Sequence, residues 1–347
     1  MSPPRHLELF QEYPEPDEAE VAREVVDYLK RTTDKRNFLS GTTQRYVHAK
    51  SVAALKAEFT VDLDLPAEFR HGIFRDGGRS YPAWIRLSNS AQHPAPDKKL
   101  DARGFAIKLM NVDGKSLLSQ EGSASTQDFV LLSRPTFFNR DTKEFYEFVQ
   151  AINTSKLRLV WFFLTHPAVF FTGLGAAKRY GNLLGIQFWS TTPYRLGELA
   201  VKYSAKPRVW DRTPVPWSPD QNYLRAAAAE TLAEREVLFD FYVQVQVDPY
   251  REPIEDALVE WSEQLSPLQK VATIRIPKQR VDTPERNWIA ENLAMDVWHA
   301  LPEHRPLGNV NRSRGLIYLH LAEFRRARNL VPIVEPIATP DFFADAN

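Results

Sequence analysis

The sequence predicts an α+β fold built on an antiparallel β-barrel with helices around it. Three observations carry that prediction. Segments whose apolar residues recur every second position come in two batches, amphipathic segments with helical spacing lie between and after them, and nothing between residues 35 and 330 has the composition of a linker. The 347 residues therefore read as one large domain at 35–330, preceded by an arm and helix at 1–34 and followed by a tail at 331–347.

Residues 1–16 are a Pro-rich arm. Asp17 and Glu20 make a capping box, and Val21, Val25, Val26 and Leu29 give one apolar face, so 18–31 is a helix. From residue 57 the period drops to two: Phe59, Val61, Leu63 and Leu65 alternate with polar neighbours over 57–65. Further strands are expected at 82–88, 103–110 and 127–133. A helix at 141–152 follows, with Asp141 as cap and Phe145, Phe148, Val149 and Ile152 on one face. Residues 157–177 are apolar but are interrupted by Arg158, His166 and Pro167, so the pieces are too short to span a bilayer and suggest a buried or surface-docking helical hairpin. The second β batch is 198–204, 237–247 and 271–276, with the alternation clearest at 237–247. Helices are expected at 221–235, 253–263 and 309–328.

Composition narrows the function. Acidic and basic residues number 44 each, so no net field draws in nucleic acid or an anionic surface. There is no cysteine, which excludes disulfides, cysteine-bound zinc, iron–sulfur clusters and thiolate-ligated haem. The N-terminal residues lack the pattern of a secretory signal, and the expected compartment is cytoplasmic, with 157–177 available for peripheral membrane contact.

Three short segments carry chemistry. On the last helix Arg314, Tyr318, Leu321 and Arg325 fall at i, i+4, i+7 and i+11, one stripe of a helix. An arginine one turn from a tyrosine can hydrogen-bond the phenol and favour phenolate, a hard anionic ligand for haem iron. Taken alone, the stripe reads more simply as a buried tyrosine beside a solvated arginine. The second segment is Arg45-Tyr46-Val47-His48-Ala49-Lys50, whose histidine alone would be an ordinary satisfied side chain. In the third, Trp84-Ile85-Arg86-Leu87-Ser88-Asn89, alternation sends Trp84, Arg86 and Ser88 to one side of a barrel wall, where a polar pair needs partners; a solvated outer face is the simpler reading.

The order of these segments resembles the haem catalases. The family's distal-histidine segment is similar to Arg45–Lys50, its Arg-x-Ser to Arg86-Leu87-Ser88, and its Asp-x-Arg-Gly-Phe-Ala-x-Lys block matches Asp101 to Lys108 in full. Its proximal Arg-x-x-x-Tyr matches Arg314 and Tyr318. The resemblance covers roughly residues 35–330 and implies a barrel of the haem catalase type, haem b as cofactor, and Tyr318 on a C-terminal helix as the iron ligand. It further implies His48 as distal acid–base partnered by Ser88, and Arg314 as the group keeping Tyr318 anionic. Arg45, Arg86 and Arg325 would bind the haem propionates, and Val130 and Phe138 occupy positions where the family places aromatics beside the haem. Where the family has its distal asparagine, this chain has Ser125, with Thr126 or Gln127 as neighbours that could substitute. The chain ends soon after the proximal helix, so it is similar to the small catalase-related branch.

The implied activity is cleavage of hydrogen peroxide or organic hydroperoxides, as a peroxidase using a small-molecule electron donor with weak catalase turnover. The alternatives are fatty-acid hydroperoxide rearrangement, as in the allene oxide synthase relatives, and non-enzymatic haem storage or sensing. Those relatives carry threonine before the distal histidine, where this chain has Val47. The apolar stretch around Trp161 to Phe171 leans toward the fatty-acid alternative, since it could dock on lipid or line a fatty route to the haem. No nucleic-acid partner is expected, and a homodimer is left open.

Overall fold

The computed structural model describes residues 6–37, 42–118, 126–176, 178–211, 213–331 and 335–344. The strands are β1 (Ser51–Val61), β2 (Ser80–Asn89), β3 (Arg103–Leu109), β4 (Gln127–Leu132), β5 (Phe188–Trp189), β6 (Tyr194–Leu196), β7 (Leu199–Pro207), β8 (Val237–Val245) and β9 (Gln269–Ile276). All their pairings are antiparallel, in the order β5-β4-β3-β2-β1-β9-β8-β7-β6. Because β5 pairs with both β4 and β7, eight strands close into a barrel and β6 hangs from β7 as a hairpin. Closure removes the sheet edges that would otherwise present unpaired backbone.

Alternation decides what fills the barrel. Phe59, Ile85, Leu87, Phe105, Ile107, Phe129, Leu131, Phe239 and Phe241 all point inward and form one core. Aromatic rings pack across it, Phe129 lying 4.9 Å from both Phe241 and Tyr203. The interior is solid, so room for any bound group lies on the outer wall.

Helices cover that wall. They are α1 (Glu18–Asn37), α2 (Thr142–Thr154), α3 (Lys156–Thr165), α4 (Pro167–Ala176), α5 (Tyr223–Glu234), α6 (Pro284–Asn292) and α7 (Asn309–Asn329). Val25, Val26 and Leu29 of α1 pack with Val149 of α2 and Ile317 of α7. The arm before α1 reaches the start of α7, where Glu12 accepts from the Gly308 N–H at 2.8 Å and pairs with Arg312. Residues 335–344 also pack: Phe342 meets Trp84 edge-on at 5.3 Å.

Most expected elements are present with shifted ends; the short strands β5 and β6 were not expected, and four further features differ. No helix forms at 253–263: Glu252 accepts the Val247 N–H, Glu255 goes to Asn309 and Arg312, and Asp256 accepts the Leu258 N–H, so these side chains organise turns instead. Helix α6 was not expected, although Thr283 caps it by accepting from the Arg286 N–H and Pro284 occupies its first turn. The strand expected at 57–65 runs from Ser51 to Val61, beginning directly after the distal segment. Asp17 does not close a capping box; its carboxylate lies 2.7 Å from Lys143 Nζ.

Candidate functional site

Outward-facing residues of β2, β3 and β4 form one wall of a cavity of about 340 Å³, and α7 forms the other. Arg86 and Ser88 share a side of β2 as alternation requires, and that side is the outer one, because Ile85 and Leu87 take the interior.

His48 enters from the segment joining α1 to β1. Its backbone is left-handed, φ 55°, an uncommon conformation for a non-glycine residue. The His48 N–H donates to the Ser90 carbonyl at 3.1 Å, and Arg86 donates to the His48 carbonyl at 2.9 Å. On the ring, Nδ1 lies 2.9 Å from Ser88 Oγ. Gly104 on β3 lies beneath this pair: a Cβ there would fall 2.7 Å from Ser88 Oγ and 2.8 Å from His48 Cε1 and Nδ1, inside van der Waals contact. Burial, followed by the positive fields of Arg86, Arg314 and Arg45, lowers the His48 pKa to about 3, so the imidazole is neutral at ordinary pH.

Three arginines gather beside it. Arg45 donates to the Glu291 and Leu293 carbonyls at 2.5 and 2.8 Å, Arg86 to the Ala290 carbonyl at 2.7 Å, and Arg325 to the Glu291 carbonyl at 3.1 Å. The Glu291 carboxylate is 3.5 Å from Arg45 and 3.6 Å from Arg325. Three guanidinium groups thus converge on one short stretch of chain, with the Glu291 carboxylate beside two of them. Burial above all, then this crowding, lowers the pKa of Arg45, and burial lowers Arg86 to about 10.

Across the cavity, α7 presents Tyr318, Leu321, Ala322 and Arg325. Trp298 packs against Gly315 and donates Nε1–H to the Asn311 carbonyl at 2.7 Å, where a Cβ at 315 would fall 2.8 Å from that nitrogen. Arg314 is one turn from Tyr318 as spacing predicts, yet it makes no hydrogen bond to the phenol. Its guanidinium lies over the Tyr318 ring at 5.8 Å and the Phe137 ring at 4.9 Å, and donates weakly to Thr192 and Asn311. Val130 lines the cavity; Phe138 does not, packing instead against Phe137 and under Arg134.

Ser125 lies outside the described residues. Of its neighbours, Thr126 lines the cavity and donates to Glu335 at 3.1 Å, whereas Gln127 is buried with its side-chain Oε1 accepting from the Leu301 N–H. Lys108, the last residue of the Asp101–Lys108 block, is fully buried between Asp128 at 2.9 Å and Glu335 at 2.6 Å. His299 and Asp296 complete this polar wall, and burial raises Asp296 to about 6. The roles of Gly104, Glu291 and the Lys108–Asp128 pair escaped the sequence reading. Only the glycine inside a strand, a sign of close approach, could have been noticed.

The residues present fit haem. Arg45, Arg86 and Arg325, guanidinium groups lining one cavity, suit two propionates, and Val47, Val130, Leu293, Met295 and Leu321 give an apolar lining. Tyr318, whose hydroxyl has no protein partner among the described residues, faces this space from α7 as His48 does from the barrel side. Residues 36–161 match the family model described as catalase. Among solved structures, a bacterial catalase superposes with a TM-score of 0.67 at 19% identity, over 91% of this chain and 64% of that one. A fungal catalase gives 0.63 at 16% identity, over 100% of this chain and 68% of that one. Catalase A from Saccharomyces cerevisiae gives 0.66 at 18% identity, over 100% and 76%. The chain therefore spans under two thirds of the length of that bacterial catalase, and the superpositions establish a shared fold.

Proposed function

We propose that this catalase-related chain is a haem b enzyme that cleaves hydrogen peroxide and small organic hydroperoxides, turning over chiefly as a peroxidase. The observation that carries the reading is the neutral His48–Ser88 pair facing the same cavity as Tyr318, with Arg45, Arg86 and Arg325 converging at its edge. Haem, when bound, supplies the redox chemistry of O–O cleavage. Tyr318 would hold the iron, and Arg45, Arg86 and Arg325 would hold the propionates. Arg314 lies over the Tyr318 ring and, having no hydrogen bond to the hydroxyl, leaves that oxygen free to ligate.

The protein's part in the reaction is proton transfer. With Nδ1–H donating to Ser88, Nε2 keeps its lone pair; it has no protein partner among the described residues. Nε2 takes the hydroperoxide proton and returns it to the departing oxygen, general base then general acid. Val47 and the apolar lining exclude water around that transfer. Ser125 in place of asparagine offers a shorter side chain for orienting a second peroxide, which favours an organic donor as reductant. Val47, where the allene oxide synthase relatives carry threonine, favours ordinary peroxide chemistry.

The test is His48→Ala. Haem content should hold while peroxide cleavage falls by roughly two to four orders of magnitude. Wild-type rates with hydrogen peroxide and tert-butyl hydroperoxide, with and without a donor, apportion catalase and peroxidase turnover. An unchanged rate in His48→Ala would leave haem storage or sensing as the better reading.

A further inference from the structure

The helical hairpin α3–α4 has no part in the cavity, and its outer surface is unlike the rest of the molecule. On α3, Leu157, Val160, Trp161 and Leu164 follow helical spacing on one face, and they are exposed by 83%, 56%, 68% and 70%. The opposite face holds Phe162, Phe163 and Leu159, which pack with Phe148 of α2. On α4, Val169 turns inward while Phe171 and Leu174 are exposed by 68% and 58%. The two helices meet at 104°. Each has ten residues, about 15 Å of rise, half the thickness of a bilayer's hydrocarbon core. The hairpin can lie in an interface, and neither helix alone is long enough to cross a bilayer.

Charge says which interface. Between Glu147 and Glu198 the chain has no acidic residue, and Lys156, Arg158, Lys178 and Arg179 bracket the two helices. Arg179 Nε donates to the Lys98 carbonyl at 2.8 Å, and the Lys178 backbone pairs with that of Asp101 in an isolated antiparallel β-bridge, so the far end of α4 adjoins Lys98, Lys99 and exposed Leu100. A second copy laid on this face would bring like charges together. An anionic lipid surface instead complements the basic rim and takes the aromatic and leucine side chains into its headgroup boundary.

We propose that α3–α4 is a membrane-docking surface that seats the protein on anionic lipid bilayers with Leu157, Trp161, Leu164, Phe171 and Leu174 inserted and Lys156, Arg158, Lys178 and Arg179 on the headgroups. The hairpin lies across α2 from the cavity, since the other side of α2 packs with α7. Docking therefore leaves the cavity uncovered and needs nothing of its chemistry.

Full-length protein is mixed with vesicles of equal phosphatidylglycerol and phosphatidylcholine, and with phosphatidylcholine alone, and binding is followed by flotation and by quenching of tryptophan with brominated lipid. Binding to the anionic vesicles is expected, weakened roughly 100-fold or more by Trp161→Glu with Phe171→Glu. Lys156→Gln with Arg158→Gln should weaken it about 25-fold, near fivefold for each charge, with the difference vanishing in high salt. All these side chains are exposed, so circular dichroism and thermal midpoint should match wild type and certify folding. Absence of binding to anionic vesicles overturns the proposal, as does binding that the Trp161/Phe171 variant leaves intact. A concentration-dependent dimer abolished by that variant, without vesicle binding, would assign the face to a second copy and overturn it too.

Discussion

Gly104→Ala tests the distal arrangement at the point where it is tightest. The added Cβ would stand 2.7 Å from Ser88 Oγ and 2.8 Å from two atoms of the His48 ring. Ordinary contact begins near 3.5 Å, so the hydroxyl or the ring must retreat by about 0.8 Å. Ser88 sits on β2, paired to β3 at Gly104 itself and to β1 at Ser51, so the ring is the part that gives. The 2.9 Å Nδ1–Oγ bond would then stretch past hydrogen-bonding range, releasing the ring from its tautomer and orientation. Misplacing a catalytic group by this much costs about 100-fold in rate, and overpacking costs roughly 1–3 kcal/mol of stability. The assay is single-turnover cleavage of tert-butyl hydroperoxide in wild type, Gly104→Ala, His48→Ala and the double variant, with haem content measured for each, since Gly104 also faces the cavity. The rate should fall about 100-fold in Gly104→Ala and scarcely further when alanine is added at 104 to His48→Ala. A wild-type rate in Gly104→Ala, or the same loss with and without His48, would refute the argument.

Tyr318→Phe should abolish a tyrosinate-type ferric spectrum and lower haem content; an unchanged spectrum would move the iron ligand elsewhere. The peroxide rate should show no acid limb between pH 5 and 8, because His48 is neutral down to about pH 3; a limb near 6.5 would contradict its burial. His304, buried between the Ile73 N–H and the Tyr203 hydroxyl, is likewise lowered to about 3, mainly by burial. Both histidines protonate more readily unfolded, near 6.5, so the stability they contribute is complete above that pH. It is lost as pH falls toward 3, at about 2.7 kcal/mol per unit for the pair, read by urea titration at stepped pH. Asp128→Asn leaves buried Lys108 with Glu335 as its remaining carboxylate and should cost roughly 3 kcal/mol in the same titration, while a neutral result would mean that the pair contributes little.

What the sequence determined by itself was set by local periodicity. Alternation in 82–88, 103–110 and 237–247 dictated which side of each strand is apolar, hence a filled barrel with Arg86 and Ser88 on its other face. Helical spacing put Arg314, Tyr318, Leu321 and Arg325 on one stripe, and the order of motifs carried the family resemblance. Periodicity fixes the facing of a side chain and says nothing about what it meets. Glu291 lies among three arginines from positions 45, 86 and 325, and Gly104 lies beneath His48 and Ser88. Those juxtapositions join residues tens to hundreds of positions apart: the packing of α6 and α7 onto the barrel produces the first, and the pairing of β2 with β3 beneath the segment before β1 produces the second. The same packing turned Arg314 onto the Tyr318 ring and away from its hydroxyl, because Thr192 and Asn311 offer the guanidinium acceptors on the far side. It also left α3–α4 with an apolar face outward, because α2 can cover only one side of the hairpin.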